Sequence, residues 1–530
     1  MKAKIITVFI FFLTLASVLF SQEIGSTIDW IDAPGNFPFG IAISGNQIFH
    51  SDRLTNTIFE IDTATGEISS EIPLPEGKLV GDITFHNDNL LIIDQQNNAI
   101  LKYNSGDSSF SEQIELHSSK PWGLTSDGQF LWYIDQQTKF IYQLNPESGA
   151  YLDSTQAPGI SPTGISWDGA RFWIADMRSK QLFLFDFTHR CVVQIIPLDW
   201  KFPQGIAYDG SNIWVCSLEA KQLQKVALRS DKDYRILGSR KSLLKYTLTI
   251  RNAGSSNMQT KTYIAYPAPS LSQTFIDSVL FAELPNDIFS DKYGQKIAYY
   301  YHNISPGSQR VYQYQVPATI NAVRYFLNPD SVGTLDQIPD SIVSLYTVDG
   351  DKYQINDSII QQAVAELAGE ETNLYWLVRR IHDFVIDHIY YNNDSRWDPA
   401  PQVLQQGHGS CSEYSFLFIA LCRAMGIPAR YEAGSHLRDE LPYEDTVFHR
   451  WQQVYFPNYG WIPIDCTWDD RSDLVERSLY FGAKSNNTFT TTIGGGGDRG
   501  MWWTYNSANS TSGGDMDRDK KMEWLEISTA

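Results

Sequence analysis

Five glycines mark a repeat of about 41 residues along the first part of the chain. They stand at Gly40, Gly81, Gly123, Gly164 and Gly205, spaced 41, 42, 41 and 41 residues apart. Each opens a similar phrase, such as Gly40-Ile-Ala-Ile and Gly205-Ile-Ala-Tyr. An apolar strand follows and ends in an acid at Asp52, Asp94, Asp135 and Asp176, with Ser217 in the fifth copy. A further strand ends near Asp62, Asn104, Asn145 and Asp186, and an outer strand such as Cys191–Pro197 completes the unit. Four short strands in such a period make a β-propeller blade, which buries its faces against its neighbours. The fifth copy lacks an obvious fourth strand after Val226, while Ser26–Ala33 precedes the first glycine as an orphan outer strand. Pairing the two closes the ring and removes an exposed sheet edge. The expectation is a propeller of about five blades over residues 24–230.

The phrasing of these copies resembles NHL-repeat and regucalcin-like propellers. Such a ring does not name a function by itself. The repeated aspartates read as turn residues that satisfy backbone groups. Trp122, Trp132, Trp167, Trp173 and Trp214 read as blade packing, with one blade face left as a candidate surface for a protein, peptide or glycan.

The remaining 300 residues leave room for two more domains at about 100–200 residues each. A hydrophobic content of 42% excludes a disordered chain. Acids outnumber bases 61 to 41, a net charge of -20, which excludes non-specific nucleic-acid binding. At the start, Lys2 and Lys4 precede the apolar run Ile5 to Phe20, followed by Ser21-Gln22. This pattern is a secretory signal peptide over residues 1–21, leaving no stable membrane anchor after cleavage. The protein is therefore expected to be secreted or periplasmic. Five cysteines are too few for a disulfide scaffold, and their odd number leaves at least one thiol unpaired within the chain. Cys191 and Cys216 lie in adjacent blades, and the sequence leaves open whether they pair.

Residues 231–350 alternate like strands at Leu243–Arg251, Lys261–Tyr266, Gln295–His302, Arg310–Val316 and Ser344–Val348. No helical period of useful length appears there, so a β-sandwich is expected. Near residue 355 the pattern changes. Residues 357–367 and 372–390 carry helical spacing, and the stretch from Cys411 to Met425 is a third amphipathic helix. Cys411 stands at the start of that helix behind Gly407 and Gly409, small residues that leave space for a substrate. A helix N-terminus offers free N–H donors and partial positive charge, which favour a thiolate. Further on, His449 begins one strand and Asp465 ends the next, and the loop Pro457-Asn-Tyr-Gly folds them into a hairpin. Cysteine, histidine and aspartate brought together in this way make a nucleophile, a base and an orienting acid.

The phrases Gly409-Ser-Cys-Ser-Glu-Tyr, Gly426-Ile-Pro-Ala-Arg, His449-Arg-Trp and Gly460-Trp-Ile-Pro-Ile-Asp-Cys-Thr resemble the transglutaminase-like superfamily, a relative of papain-like thiol enzymes. The resemblance covers residues 355–485 well and implies an α+β catalytic domain over 355–530. It implies Cys411 as nucleophile, His449 as base and Asp465 as orienting acid. The familiar proline after the aspartate is Cys466 here, which alters a turn but not the triad. Gln405, Gln406 and Trp397 are candidate oxyanion donors beside the Cys411 N–H, and Trp451 and Gly409 are candidate substrate-binding residues. The tail beyond Asn486, with a strand at Met522–Ile527, is expected to finish the catalytic sheet. Asp515, Asp517, Asp519 and Glu526 mimic the spacing of a calcium loop, but Lys520 replaces its glycine. No metal and no cofactor are called for. The implied activity is a cysteine protease or amidase acting on peptide or glutamine carboxamides. The alternatives are a protein-glutamine cross-linking acyltransferase and a non-catalytic scaffold.

Overall fold

The computed structural model describes residues 22–527 apart from Arg499. The expected signal peptide, residues 1–21, lies outside the described residues. Five four-stranded antiparallel sheets form the propeller. The first runs Pro38–Ser44, Gln47–Asp52, Thr57–Asp62 and Ile68–Pro73 from the centre outward. The fifth joins Pro203–Tyr208, Ile213–Ser217 and Gln222–Val226 to Thr27–Asp32, the orphan strand, with Trp30 opposite Gln224. The first described strand thus closes the last blade.

Crowding at the ring's centre explains the repeated glycines. A Cβ on Gly123 would stand 2.5 Å from the Thr163 carbonyl oxygen, and one on Gly164 2.5 Å from that of Gln204. One on Gly205 would stand 2.6 Å from the Phe39 carbonyl, so the same close approach joins blade five to blade one. The repeated aspartates cap turns. Asp52 Oδ1 accepts from the N–H groups of Leu54 and Thr55 at 3.0 and 2.8 Å, and Asp176 Oδ1 from those of Arg178 and Ser179 at 3.0 and 2.7 Å. Trp132, Trp173 and Trp214 are buried in the blades. Cys191 and Cys216 do not bridge, and all five thiols are free. Cys216 faces blade one, with Sγ 3.5 Å from the Gly40 carbonyl, whereas Cys191 starts the outer strand of blade four near Arg379.

Next comes a sandwich. One sheet orders Gln273–Phe275, Gln309–Tyr325, Tyr234–Asn252, Met516–Leu525 and Tyr443–Asp445. The other orders Asp287–Ser290, Lys296–Ile304, Met258–Ala265 and Ser507–Ser512. Tyr246, Leu248, Tyr300, Tyr312 and Tyr314 fill the space between them. Two expectations are corrected here. The tail strands Ser507–Ser512 and Met516–Leu525 complete the sandwich rather than the catalytic sheet, because Met522 and Trp524 are fully buried opposite Tyr246 and Leu244. Only Thr488–Gly494 joins the catalytic sheet, taking its edge beside Ala429–His436. The segment 344–348, read as a strand, instead closes helix α1 (Asp340–Tyr346), which starts after Pro339 with an acid in its first turn.

The last unit packs α2 (Ser358–Ala368), α3 (Leu374–His388), α4 (Ala400–Gln406) and α5 (Cys411–Ala424) with a four-stranded antiparallel sheet. That sheet orders Gly460–Ile464, His449–Phe456, Ala429–His436 and Thr488–Gly494, and the short helix α6 (Cys466–Asp469) follows its edge strand. Helix α5 is buried along its whole length against the His449–Phe456 strand, which brings the helix start to the strand start. Among the described residues no helix is long and apolar enough to cross a membrane.

Candidate active site

Ser410 is the N-cap of α5. Its hydroxyl accepts from the Ser412 N–H at 3.3 Å, and Glu413 Oε2 accepts from the Ser410 N–H at 2.9 Å. This capping box fixes the first turn and leaves the Cys411 N–H free of any protein acceptor among the described residues. Glycine at 409 serves the same turn. A Cβ there would meet the Glu413 side chain at 2.2 Å, so the residue makes room for the cap rather than for a substrate. Gly407 adopts φ 70° to end α4, a left-handed conformation that glycine takes without strain.

His449 opens its strand after Phe448, whose φ of 62° is unusual for a bulky residue. Asp445 holds that bend. Its Oδ1 accepts from the N–H groups of Val447 and Phe448 at 3.1 and 3.0 Å and from Arg438 at 2.6 Å. His449 Nε2 donates to Asp465 Oδ2 at 2.7 Å. The other carboxylate oxygen of Asp465 accepts from the N–H groups of Thr467 and Trp468 at 3.1 and 3.2 Å. Asp465 is therefore also the N-cap of α6, which aims its free edge at the imidazole. With Nε2 engaged, Nδ1 is the ring nitrogen left for Cys411.

The electrostatics follow from this arrangement. Burial pushes the Cys411 thiol up, but hydrogen bonding and charge attraction from His449 outweigh it, and its pKa falls below the ordinary thiol value. Burial alone would lower the His449 pKa; the Asp465 carboxylate and the Cys411 sulfur raise it to about 10. Each group thus favours the charged form of the other. The other four thiols behave oppositely, since burial raises Cys191 to about 12 and Cys216, Cys422 and Cys466 well above the usual value. Nearby, His436 stays neutral, its pKa held at about 3 by burial and by repulsion from His449 and Arg438.

Two further residues line the site without any signal in the sequence pattern. Tyr505 reaches in from the tail, its Oη 3.6 Å from Cys411 Sγ and 2.5 Å from Ser412 Oγ. Arg450 follows His449 and is fully buried among Trp397, Phe416, Tyr431 and Tyr505, with its guanidinium 5.1, 4.8, 4.5 and 4.6 Å from their ring centres. The remaining expected residues divide. Trp397 stands edge-on to Tyr505 with centroids 5.4 Å apart, beside the thiol. Gln405 is exposed on α4, and Gln406 is committed to Asp398 and the His408 carbonyl at 3.1 and 3.0 Å. Neither glutamine is brought to Cys411. Trp451 is 2% exposed, and its indole N–H donates to Glu432 Oε2 at 2.6 Å, so it supports the His449 ring from behind instead of meeting substrate.

The family model described as Transglutaminase-like superfamily matches residues 361–466. Those residues form a transglutaminase-like domain. Cys411, His449 and Asp465 all lie within it, whereas Tyr505 reaches the transglutaminase-like domain from outside. The Glutamine cyclotransferase model matches residues 30–158, in the propeller. Among curated relatives, the uncharacterized protein YebA of Bacillus subtilis (strain 168) is 23% identical over 143 residues, 23% of this chain and 19% of its own. The chain thus spans about a fifth of the length of the curated relative it matches. A candidate cysteine protease from Cytophaga hutchinsonii is 16% identical, covering 55% of this chain and 100% of its own, with a TM-score of 0.40. Regucalcin from Agrobacterium tumefaciens is 10% identical, covering 38% of this chain and 95% of its own, with a TM-score of 0.31.

Proposed function

We propose that the chain is an extracytoplasmic thiol hydrolase that opens peptide or glutamine carboxamides through Cys411, His449 and Asp465. The observation that carries this reading is the contrast among the thiols: Cys411 alone of the five has a pKa lowered by a partner rather than raised by burial. The thiolate attacks the carboxamide carbon, and the carbonyl electrons move onto oxygen. The free Cys411 N–H faces that oxyanion, with the Trp397 indole N–H, which has no acceptor among the described residues, as second donor. Nδ1 of the His449 imidazolium gives its proton to the departing amine as the C–N bond breaks, leaving a thioester. The now neutral imidazole takes a proton from water, whose oxygen attacks the thioester and expels the thiolate. Asp465 keeps the ring in one orientation through both steps.

Incubating the protein with a glutaminyl peptide, with and without a primary amine, tests this directly. Ammonia or a cleaved peptide in the absence of amine is the expected result. An amide formed only with the amine would make the chain an acyltransferase. No turnover, with Cys411 no faster to alkylate than Cys422, would leave the scaffold reading. Export is checked by the N-terminus of the mature protein, expected just after Ser21; an intact N-terminus in the cytoplasm would sink that part.

The propeller acts in this reading as the recognition module. Beside the first strands of blades one and three, Arg53 lies 5.3 and 5.6 Å from the ring centres of Phe39 and Trp122, and Lys120 lies 4.8 Å from Trp122. Trp122→Ala should raise KM for protein substrates more than for short peptides; equal effects on both would remove the propeller from recognition.

A further inference from the structure

We propose that Lys520, with Arg518, forms an anion-binding subsite on the sandwich wall of the active site, selecting substrates that carry a carboxylate beside the reacting carboxamide. This inference rests on the Cys411 reading of the site. Lys520 belongs to the Met516–Leu525 strand and pairs with Leu248, so its side chain points from the inner face of the sheet. The covering strand Tyr443–Asp445 stops at the register of Met522, leaving Lys520 and Arg518 beyond its end. There the Lys520 ammonium lies 5.2 Å from the ring centre of Phe448, the neighbour of His449, and 5.6 Å from that of Tyr505, whose hydroxyl touches Cys411.

Lys520 carries no ion pair and no hydrogen-bond acceptor among the described residues, although its neighbour Lys521 pairs with Glu444 at 2.6 Å. Asp445, the acid whose charge acts on Lys520, is already engaged by Arg438, Ser435 and three backbone N–H groups. Burial and repulsion from Arg518 and Arg450 bring the Lys520 pKa down to about 8, as expected for a positive charge held in a partly dry site without a counterion. Arg450 adds an independent sign of the same shortage. It is fully buried, has no carboxylate partner, and its Nε and Nη1 lack any acceptor. Lys520 and Arg450 thus both stand beside Tyr505, 5.6 and 4.6 Å from its ring centre, in a chain whose net charge is -20. The chain as a whole repels anions, so this local excess of positive charge has use only for an anion that enters the cleft. A side-chain or terminal carboxylate next to the scissile amide has the required charge and reach.

The test compares Lys520→Met, which removes the charge, with Lys520→Arg, which keeps it. The first probe is Cys411 alkylation by iodoacetate, an anion, against iodoacetamide, its neutral analogue. Removing one charge within about 12 Å at an intermediate dielectric should lower the iodoacetate-to-iodoacetamide rate ratio about threefold. Lys520→Arg should restore it. The second probe is the kcat/KM ratio for paired peptides with glutamate or glutamine beside the reacting residue, expected to fall in Lys520→Met and recover in Lys520→Arg. An unchanged alkylation ratio in Lys520→Met, or equal loss in both variants, overturns the subsite. If wild-type protein turns over neither peptide, the catalytic reading fails while the alkylation ratio still decides the subsite.

Discussion

Two buried histidines in the same domain each face an aspartate, and only one of them is placed to be a base. His449 meets Asp465 at 2.7 Å and His382, on α3, meets Asp469 at 3.1 Å. The two aspartates bracket the same short helix, as N-cap and last residue of α6. The difference lies at the second ring nitrogen. His449 has Nδ1 left for a thiol. His382 spends its Nδ1 on Asp383 at 2.9 Å, and Asp383 is held in turn by Arg379 at 3.0 Å. Arg379 continues to Ser478 Oγ at 2.8 Å and to the Val192 carbonyl in blade four at 3.3 Å. A histidine with both nitrogens on carboxylates has no position from which to move a proton, so this cluster works as a strut between propeller and α6. Residue type and burial do not separate a site from a strut; the unspent nitrogen does.

Breaking the first pair should have the largest effect. On the proposed mechanism His449→Ala removes both the base and the counterion of the thiolate and should lower kcat/KM by about 1,000-fold or more. The same variant should confine Cys411 alkylation to alkaline pH, where wild type alkylates readily at pH 7. Asp465→Asn keeps the shape but loses the charge, and a loss of about 100- to 10,000-fold is expected. Activity within a few-fold of wild type in either variant would reduce His449 to a second strut. His382→Gln should act on the other axis. It leaves Asp469 and Asp383 short of a buried cationic partner and should cost about 3 kcal/mol in urea denaturation while kcat/KM is largely retained. A variant that folds at full stability yet is inactive would reverse the assignment of the two histidines.

Protonation sharpens the contrast. Burial would lower the His382 pKa, but Asp383 and Asp469 raise it above 6.5. A histidine raised in the folded state stabilises fully below its unfolded pKa, and that contribution is lost as pH rises through the folded value. Wild-type protein should therefore lose stability as pH climbs past 6.5, with a flatter curve in His382→Gln. Parallel curves would show that the strut carries no proton linkage.

Why the first pair was legible and the second was not has a physical answer. Cys411, His449 and Asp465 sit at element boundaries, a helix start, a strand start and a strand end, and boundaries leave marks in sequence through capping residues and glycines. The propeller was legible because its crowded axis leaves no room for a Cβ at Gly40, Gly123, Gly164 and Gly205. His382 lies mid-helix, where spacing announces only an apolar face, and its partners come from 1 and 87 residues away. Tyr505 sits in an irregular glycine-rich segment with no period. The tail strands were misassigned because pairing between residues 243–252 and 516–525 is a long-range event that alternation cannot foresee. Even there, Met522 and Trp524, two residues apart, carried a faint strand signal.

The smallest expected effect separates two sources of thiolate stability. Ser410→Ala removes the N-cap of α5 and should cost about 1 kcal/mol of stability. A helix end contributes about 0.3–1 kcal/mol to a nearby negative charge, less than a tenfold change in ionisation, and the Cys411 N–H survives the substitution. His449 supplies a full charge and a hydrogen bond to the sulfur. If the imidazolium dominates, Ser410→Ala should shift the pH midpoint of Cys411 alkylation by well under one unit, whereas His449→Ala shifts it by several times as much. Comparable shifts in both would mean that the helix end holds the thiolate as strongly as the histidine does. The difference between the two pairs would then rest on where a cysteine meets a helix and not on which ring nitrogen is free.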